Sequence, residues 1–314
     1  MTTFLVTGGA GFIGSHLSDR LLAEEHRVIA VDDLSTGRIA NLAEARAYGK
    51  EFTFFNMDIR AEGLLSLFER HKPEVVMHLA AQSSVRPSID DPANDAAINV
   101  MGLLNVLECA TKTGVRKVVF ASSGGTIYGE PKKLPVKESA INSSRPRSPY
   151  GVTKKVGVDY LAFFEAARGL DYTALALGNV YGPRQDPHGE AGAVAIFASK
   201  MLAGESPAIF GDGNQTRDYV FIDDVVHALA LGADQGSGKL VNIGTGVETS
   251  VNALYKMLAG IIGFTGQAGT GPLQPGELRR ISLDIKLAQS ALGWHPWTHL
   301  EDGLAETVSY LKGL

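Results

Sequence analysis

The sequence predicts an α/β fold built on a doubly wound parallel sheet, and three observations carry that prediction. Short apolar runs alternate with helical stretches through the first half of the chain, the pattern of successive βαβ units. A glycine-rich segment follows the first apolar run directly. An acidic pair closes the second run, its first acid 18 residues past the last of those glycines.

The elements follow in order. Thr3–Thr7 reads as a strand, and Gly14–Glu24 as a helix with Ile13, Leu17, Leu21 and Leu22 on one face. Val28–Asp32 is the second strand. Phe52–Asn56, Val75–Leu79 and Val118–Ser122 are further buried strands, with helices near 62–71 and 94–113 between them. A long helix from Tyr150 to Arg168 leads to a sixth strand, Tyr172–Leu177. After Asn179 the character changes. Gly182–Gly192 is rich in Gly, Pro and charge, and Phe210–Gln215 is another glycine-rich turn. Helices near 193–203, 223–232 and 250–262 alternate with short strands at 207–210, 218–221 and 240–243, and a polar stretch, Gly266–Glu277, precedes the last helical segments.

Composition narrows the function classes. The chain has 314 residues, 45% hydrophobic and 20% charged, an ordinary globular balance. A net charge of −5, with only scattered cation pairs (Lys132-Lys133, Lys154-Lys155, Arg279-Arg280), gives no basic face for a nucleic acid. Cys109 stands alone, so no internal disulfide forms. The N-terminus lacks the basic and apolar regions of a signal peptide. No apolar stretch approaches the roughly 18 residues that a membrane span needs. A cytoplasmic protein without a membrane or nucleic-acid partner is expected.

Gly8, Gly11 and Gly14 lie in Thr7–Gly14, directly after the first strand and at the opening of the first helix. Gly8 permits the tight turn, Gly11 lets the backbone approach a pyrophosphate, and Gly14 lets helix and strand pack closely. Phe12 and Ile13 then present helix N-terminal N–H groups to the phosphates. The bland reading, a tight turn, loses to the strand–turn–helix context. Asp32 and Asp33 end the second strand, where a carboxylate accepts from the adenosine ribose hydroxyls and repels a 2′-phosphate. NAD is therefore expected over NADP, although Arg38 lies close by. A Rossmann-type domain over 1–178 follows. Residues 179–314 form a smaller, partly interleaved C-terminal substrate lobe, with 218–245 returning to the first domain.

Tyr150 and Lys154 form a Y-x-x-x-K, placing ammonium and phenol on one helix face. A phenol titrates near 10, too high for a base at neutral pH. The Lys cation and a positively charged nicotinamide ring both favour the phenolate. A lowering of about three units corresponds to about 4 kcal/mol. The spacing occurs twice, for Tyr128 and Lys132 repeat it, but Pro131 interrupts that copy. Ser148-Pro149 before Tyr150 is a helix start, so context selects Tyr150 as the general base. Upstream, Ser122, Ser123 and Thr126 leave the end of a parallel strand, where side chains face the ligand crevice.

With these residues assembled, the chain resembles the extended short-chain dehydrogenase/reductases, and within them the UDP-glucose 4-epimerases. The resemblance runs nearly end to end. It covers TGGAGFIGS at Thr7–Ser15, DDLSTGR at Asp32–Arg38, MDIR at Met57–Arg60, HLAAQSSV at His78–Val85 and YGVTK at Tyr150–Lys154. It continues through NVYGPRQDP at Asn179–Pro187, GDGNQTRDYVFIDD at Gly211–Asp224 and PGELRRISLD at Pro275–Asp284. The resemblance implies that Leu34, Ser35, Thr36 and Gly37 extend the cofactor-binding set and that Asp58 and Ile59 flank the adenine. Leu79, Ala80, Ala81 and Gln82 would lie along the dinucleotide, Asn99 would support the site, and Ala121 and Ser122 would complete the cofactor wall. For the substrate it implies Gln82, Ser84, Thr126, Asn179, Arg184, Ala193, Val194, Phe210, Gln215, Arg217 and Arg280, the last two with Asn179 gripping a nucleotide diphosphate.

By the same resemblance, Tyr150 takes the proton of the sugar 4-hydroxyl while hydride passes from C4 to NAD. The 4-keto sugar then turns over and receives the hydride on its other face. Many relatives carry a Ser or Thr where this chain has Gly124, so Thr126, assisted by Ser123, is expected to supply the missing hydroxyl. Nucleotide-sugar 4,6-dehydratases carry an acidic pair at the positions of Gly125 and Thr126, and sugar-acid decarboxylases a Glu at Thr126. Both lose ground here. A net dehydrogenase or reductase is the second chemistry. A non-catalytic nucleotide-sugar or NAD sensor is the reading from another class, and the intact Tyr150 and Lys154 oppose it. UDP-glucose/UDP-galactose is the favoured substrate pair. The N-acetylglucosamine and glucuronate sugars stay open, through Ile281 and Ser282 for the first and Arg184 for the second, unless Arg184 simply orders its own Pro-rich loop. A homodimer through 94–113 and 150–168 is implied.

Other features read blandly. His295 and His299 are interrupted by Pro296 and lack a third ligand, so no metal is expected. Asp223 and Asp224 suit the first turn of a helix. His78 ends a buried strand and reads as packing.

Overall fold

A computed structural model describes residues 1–187, 192–272 and 276–313. The chain opens with β1 (Thr3–Thr7), α1 (Phe12–Ala23), β2 (Arg27–Asp32), the short α2 (Ala43–Arg46), β3 (Phe52–Asn56), α3 (Leu64–His71) and β4 (Val75–His78). Next come α4 (Val85–Asp90), α5 (Pro92–Ala96), a π-helical turn at Ala97–Met101 and α6 (Gly102–Thr113). β5 (Lys117–Ser123), α7 (Pro149–Arg168) and β6 (Asp171–Leu177) complete the first half. The second half runs β7 (Asn179–Tyr181), α8 (Ala193–Leu202), β8 (Ala208–Phe210), β9 (Thr216–Arg217), β10 (Tyr219–Phe221), α9 (Ile222–Gly232) and β11 (Lys239–Ile243). It ends with β12 (Thr249–Ser250), α10 (Val251–Ile262), β13 (Gly269–Gly271), α11 (Lys286–Leu292) and α12 (Leu300–Lys312).

Seven parallel strands form one sheet in the order β3-β2-β1-β4-β5-β6-β11. This is the doubly wound, Rossmann-type arrangement, and the strand order reverses between β1 and β4, where ligands bind beyond the carboxyl ends. Alternation along each strand explains the two covered faces. Leu5, Ile29, Val76, Val118 and Phe120 pack with Leu103, Leu107, Leu161 and Phe164 of α6 and α7. Phe4, Val6, Val28, Met77 and Val119 pack with Leu17 and Leu21 of α1 and Val225 and Leu229 of α9. Strands buried on both sides read as continuous apolar runs, which is why the sequence shows them clearly.

Three departures stand out. The helix expected over 94–113 is α5, a π-turn and α6. Asp91 accepts from Asn94 N at 3.0 Å and Pro92 occupies the first turn, so helix begins before 94. The wider turn at 97–101 directs Asn99 inward, where it is 4% exposed. The strand expected at 218–221 pairs with β7 outside the main sheet, whereas α9 packs on α1 and β11 joins β6. Finally, α1 begins at Phe12 rather than Gly14, because Gly11 is already its extended N-cap residue. Residues 188–191 of the Gly182–Gly192 stretch and 273–275 of Gly266–Glu277, including Pro275, lie outside the described residues. Among the described residues no helix is long and apolar enough to cross a membrane.

Candidate active site

The glycine turn forms because its backbone is crowded. A Cβ on Gly8, whose φ is +70°, would stand 2.8 Å from Ala80 N, and one on Gly14 would overlap the Gly8 carbonyl. β1, β4 and α1 therefore converge on one cradle, and α1 starts with no side-chain cap on its first N–H groups. An anion suits that end of the helix, and the crowded glycines leave it open to one. Asp32 is buried at 7% exposure; its Oδ2 accepts from Ala10 N at 3.0 Å and its Oδ1 from Leu34 N at 2.8 Å. Burial pushes its carboxyl above the usual range, and those two bonds pull it back. Asp33 accepts from the backbone and hydroxyl of Ser35, which shapes the turn through Thr36 and Gly37. Arg38, the cation near this site, pairs with Asp186 at 2.8 Å.

Around the cradle, Ile59 is buried and Asp58 is held by Arg60 at 2.6 Å, which keeps its carboxyl below the usual range. Leu79 N and Ala80 N donate to Thr7. Beyond Ala81, Gln82 N donates to Asn99 Oδ1 at 2.9 Å and the Gln82 amide bonds the Ser84 backbone. His78 is 1% exposed, meets Thr7 Oγ1 at 2.8 Å and stacks on Phe120. Burial and the nearby Lys154 push it down to about 3, so it is neutral.

Helix α7 carries the reactive pair. Ser148 Oγ accepts from Gly151 N at 3.2 Å and Pro149 fills the first turn, so Tyr150 and Lys154 start one turn apart on a well-capped helix. Lys154, 4% exposed, donates from Nζ to the Ala121 carbonyl at 2.8 Å. That Nζ lies 4.9 Å from the Phe120 ring centroid and 6.0 Å from that of Tyr150. The Ser123 side chain is set against the Tyr150 phenol and favours its ionised form. The expected depression of the phenol is not supplied by the protein's own groups. Burial pushes Tyr150 up to about 12 against the pull of the Ser123 hydroxyl, and burial pushes Lys154 down to about 8.

The hydroxyl beside Tyr150 is thus Ser123, at the end of β5, whereas Thr126 was expected to lead. Thr126 Oγ1 points at the Ser123 carbonyl, 3.5 Å away. Gly124 has a steric reason: its Cβ would stand 2.7 Å from Leu283 Cδ1 and 2.9 Å from the Ala176 carbonyl, under the loop rather than beside Tyr150. Ser122 Oγ bonds the Lys154 carbonyl, tying β5 to α7 next to Ala121.

The second half of the chain approaches β5 through Asn179. Asn179 at the start of β7 has its Oδ1 3.5 Å from where a Cβ of Gly125 would stand. Arg217 is 15% exposed in its side chain and bonds Glu277 and the Thr216 and Leu278 carbonyls, while Arg280 makes two bonds to Glu248. Phe210 is exposed on β8, Gln215 donates to its carbonyl, and Ala193 and Val194 open α8. Arg184 makes its ion pairs with the first half of the chain. It is directed back to Asp19 of α1 at 2.6 Å and Glu44 of α2 at 3.1 Å, and so orders its own loop.

Several residues escaped the sequence reading. Asp95 and Thr153 bond each other beneath the Tyr–Lys pair. Asp218 accepts from Thr245, Gly246 and Leu283. Asp224, read as a first-turn acid, accepts from Trp297 N and Thr298 N and so anchors the C-terminal segment. Only the Asp91-Pro92 helix start gave a local signal, and it lay four residues before Asp95. Among the described residues no three His, Cys, Asp or Glu side chains group as a metal site.

A glycine-cradled dinucleotide crevice with an acid at the end of β2 and a Tyr–Lys pair at the mouth of β5 defines a nucleotide-dependent oxidoreductase scaffold. The chain belongs to the NAD dependent epimerase/dehydratase family, whose model matches residues 4–244. It is 49% identical over 310 residues to a UDP-glucose 4-epimerase of Mycolicibacterium smegmatis, covering 98% of each. The crystal structure of UDP-glucose 4-epimerase from Thermotoga maritima with UDP-glucose superposes with a TM-score of 0.95 at 47% identity, covering 99% of both chains. That of the Thermus thermophilus UDP-glucose 4-epimerase complex with NAD gives 0.92 at 40% identity, again over 99% of both.

Proposed function

We propose that the protein interconverts UDP-glucose and UDP-galactose by 4-epimerisation on tightly held NAD. The observation that carries this reading is the Tyr150 phenol with Ser123 beside it and Lys154 one turn along α7, and no carboxylate at Gly125 or Thr126. Bound NAD supplies a hydride acceptor and donor for the sugar carbon and, when oxidised, a positive charge that favours the phenolate. Tyr150 takes the 4-hydroxyl proton and later returns it. Ser123 holds the same oxygen in line, and Lys154, fixed by the Ala121 carbonyl, adds positive charge beside the phenol. Arg217 and Arg280 exchange their carboxylate partners for a diphosphate, which they bind bidentately. The engagement of Arg184 with Asp19 and Glu44 gives no support to a glucuronate substrate.

Two further proposals concern the setting. The exposed Met101 on the π-turn and Val152 and Phe163 on α7 favour a homodimer through these helices. The absence of a disulfide partner for Cys109 favours the cytoplasm. Purified protein incubated with UDP-glucose and no added NAD should yield UDP-galactose. Tyr150→Phe should reduce turnover by about a thousandfold or more. If wild-type protein interconverts neither this pair, nor the N-acetylglucosamine pair, nor the glucuronate pair, the epimerase reading fails.

A further inference from the structure

Asp95 is fully buried, at 0% exposure, on the last turn of α5. Its Oδ1 accepts from Gln82 Nε2 at 2.8 Å and Asn99 Nδ2 at 3.1 Å, and its Oδ2 from Thr153 Oγ1 at 2.8 Å. One carboxylate thus joins the loop after β4, the π-turn and α7, at the residue adjoining Lys154. All three donors are neutral. A carboxylate without solvent is costly to hold ionised unless a cation compensates it. The cation that acts on it is Lys154, which among the described residues has no carboxylate in ion-pair contact and whose own bond is to the Ala121 carbonyl.

We propose that Asp95 is a positioning residue of the reactive centre: the buried counter-charge that keeps Lys154 an ammonium, and the tie that fixes the turn of α7 beside Tyr150. The titratable groups set against Lys154 are Asp95 from α5, Tyr150 from its own helix and His78 from β4, the last neutral. β5 contributes only the Phe120 ring and the Ala121 carbonyl. Asp95 is therefore the anion available to hold the proton on Lys154. Without that charge the ammonium would be lost at lower pH, and with it the support for the phenolate.

The kinetic part of the test rests on the epimerase reading; the stability part does not. In the NAD-loaded enzyme, Asp95→Asn should move the alkaline limb of the pH–rate profile down by about one unit, a tenfold change in the protonation equilibrium. Thr153→Val removes a hydrogen bond but leaves the charge, so it should lower turnover with the limb unmoved. In thermal melts at pH 7, Asp95→Asn should lower Tm at least twice as far in the wild-type background as in Lys154→Met. Asp95→Asn that folds only when combined with Lys154→Met supports the pairing equally. An equal Tm loss in both backgrounds, or failure of both to fold, would overturn it. So would a limb that Thr153→Val moves as far as Asp95→Asn does. If no sugar is epimerised the proposed activity fails, yet the melts still decide the role of Asp95.

Discussion

Lys154→Met should make the protein more stable while removing its activity. Lys154 is 4% exposed, and burial takes its pKa from 10.5 to about 8 even with the attraction of Asp95 included. At about 1.4 kcal/mol per unit, holding the ammonium in the folded state costs about 3 kcal/mol at neutral pH. Met fills nearly the same volume without charge. It leaves the Ala121 carbonyl without its 2.8 Å donor, which costs about 1–2 kcal/mol. A net gain of about 1–2 kcal/mol follows, a few degrees in Tm for a chain of this size. The folded-state value lies below the unfolded one. Below about pH 8 both states hold the proton and the penalty on wild type is complete. Between 8 and 10.5 the folded state sheds the proton first and the penalty fades, and above that it is gone. Thermal melts of nucleotide-free protein from pH 7 to 10.5 should therefore show the Met variant ahead at neutral pH and the two curves converging in alkali. A Met variant that melts below wild type at pH 7, or an advantage that does not shrink with rising pH, would refute the reasoning.

Ser123→Ala should lower kcat about a hundredfold by removing the hydroxyl set beside Tyr150, and Thr126→Ala less than about tenfold; steady-state kinetics showing the opposite order would return the role to Thr126. Gly124→Ser should cost about 1–3 kcal/mol in urea unfolding through contact with Leu283 and the Ala176 carbonyl, without raising activity. Asp224→Ala strands Trp297 N and Thr298 N, so the segment carrying α12 should become cleavable by protease at concentrations that leave wild type intact.

The strands of the main sheet were legible because both faces are covered, which leaves unbroken apolar runs such as Val28–Val31 and Val118–Ala121. The cofactor cradle and the Tyr–Lys pair were legible because each is written within a few consecutive residues. What the sequence hid is bonded across distance. Asp95 meets Thr153 from 58 positions away, Asp218 meets Leu283 from 65, and Asp224 meets Trp297 from 73. Such acids look like ordinary polar residues until the fold supplies their donors. The choice between Ser123 and Thr126 was closed to pattern reasoning for a related reason. Both hydroxyls leave the same strand end within four residues, and only the folded turn directs Thr126 at the Ser123 carbonyl. Of the two readings of Arg184, its ion pairs with Asp19 and Glu44 fit the ordering of its own loop; the sequence could not choose, because both partners lie more than a hundred residues upstream.

The return of β11 to the sheet has a consequence for how the protein is made. Until residue 243 is available, β6 is the edge of an otherwise complete six-stranded sheet, with those backbone groups of Thr173–Leu177 that point away from β5 unpaired. During synthesis that edge must wait while about 60 more residues, including β7, α8 and α9, leave the ribosome, several seconds at ordinary elongation rates. An uncovered apolar edge is a template for a second nascent chain. The segment Gln235–Ser237 bears on this interval, for its backbone and hydroxyl receive the buried Lys117 at the foot of β5. Until it arrives, the partner at hand for that ammonium is Asp171, 3.4 Å away. A charged lysine at the foot of the neighbouring strand makes premature stacking of two such sheets costly, and the same side chain becomes an internal anchor once the chain comes back.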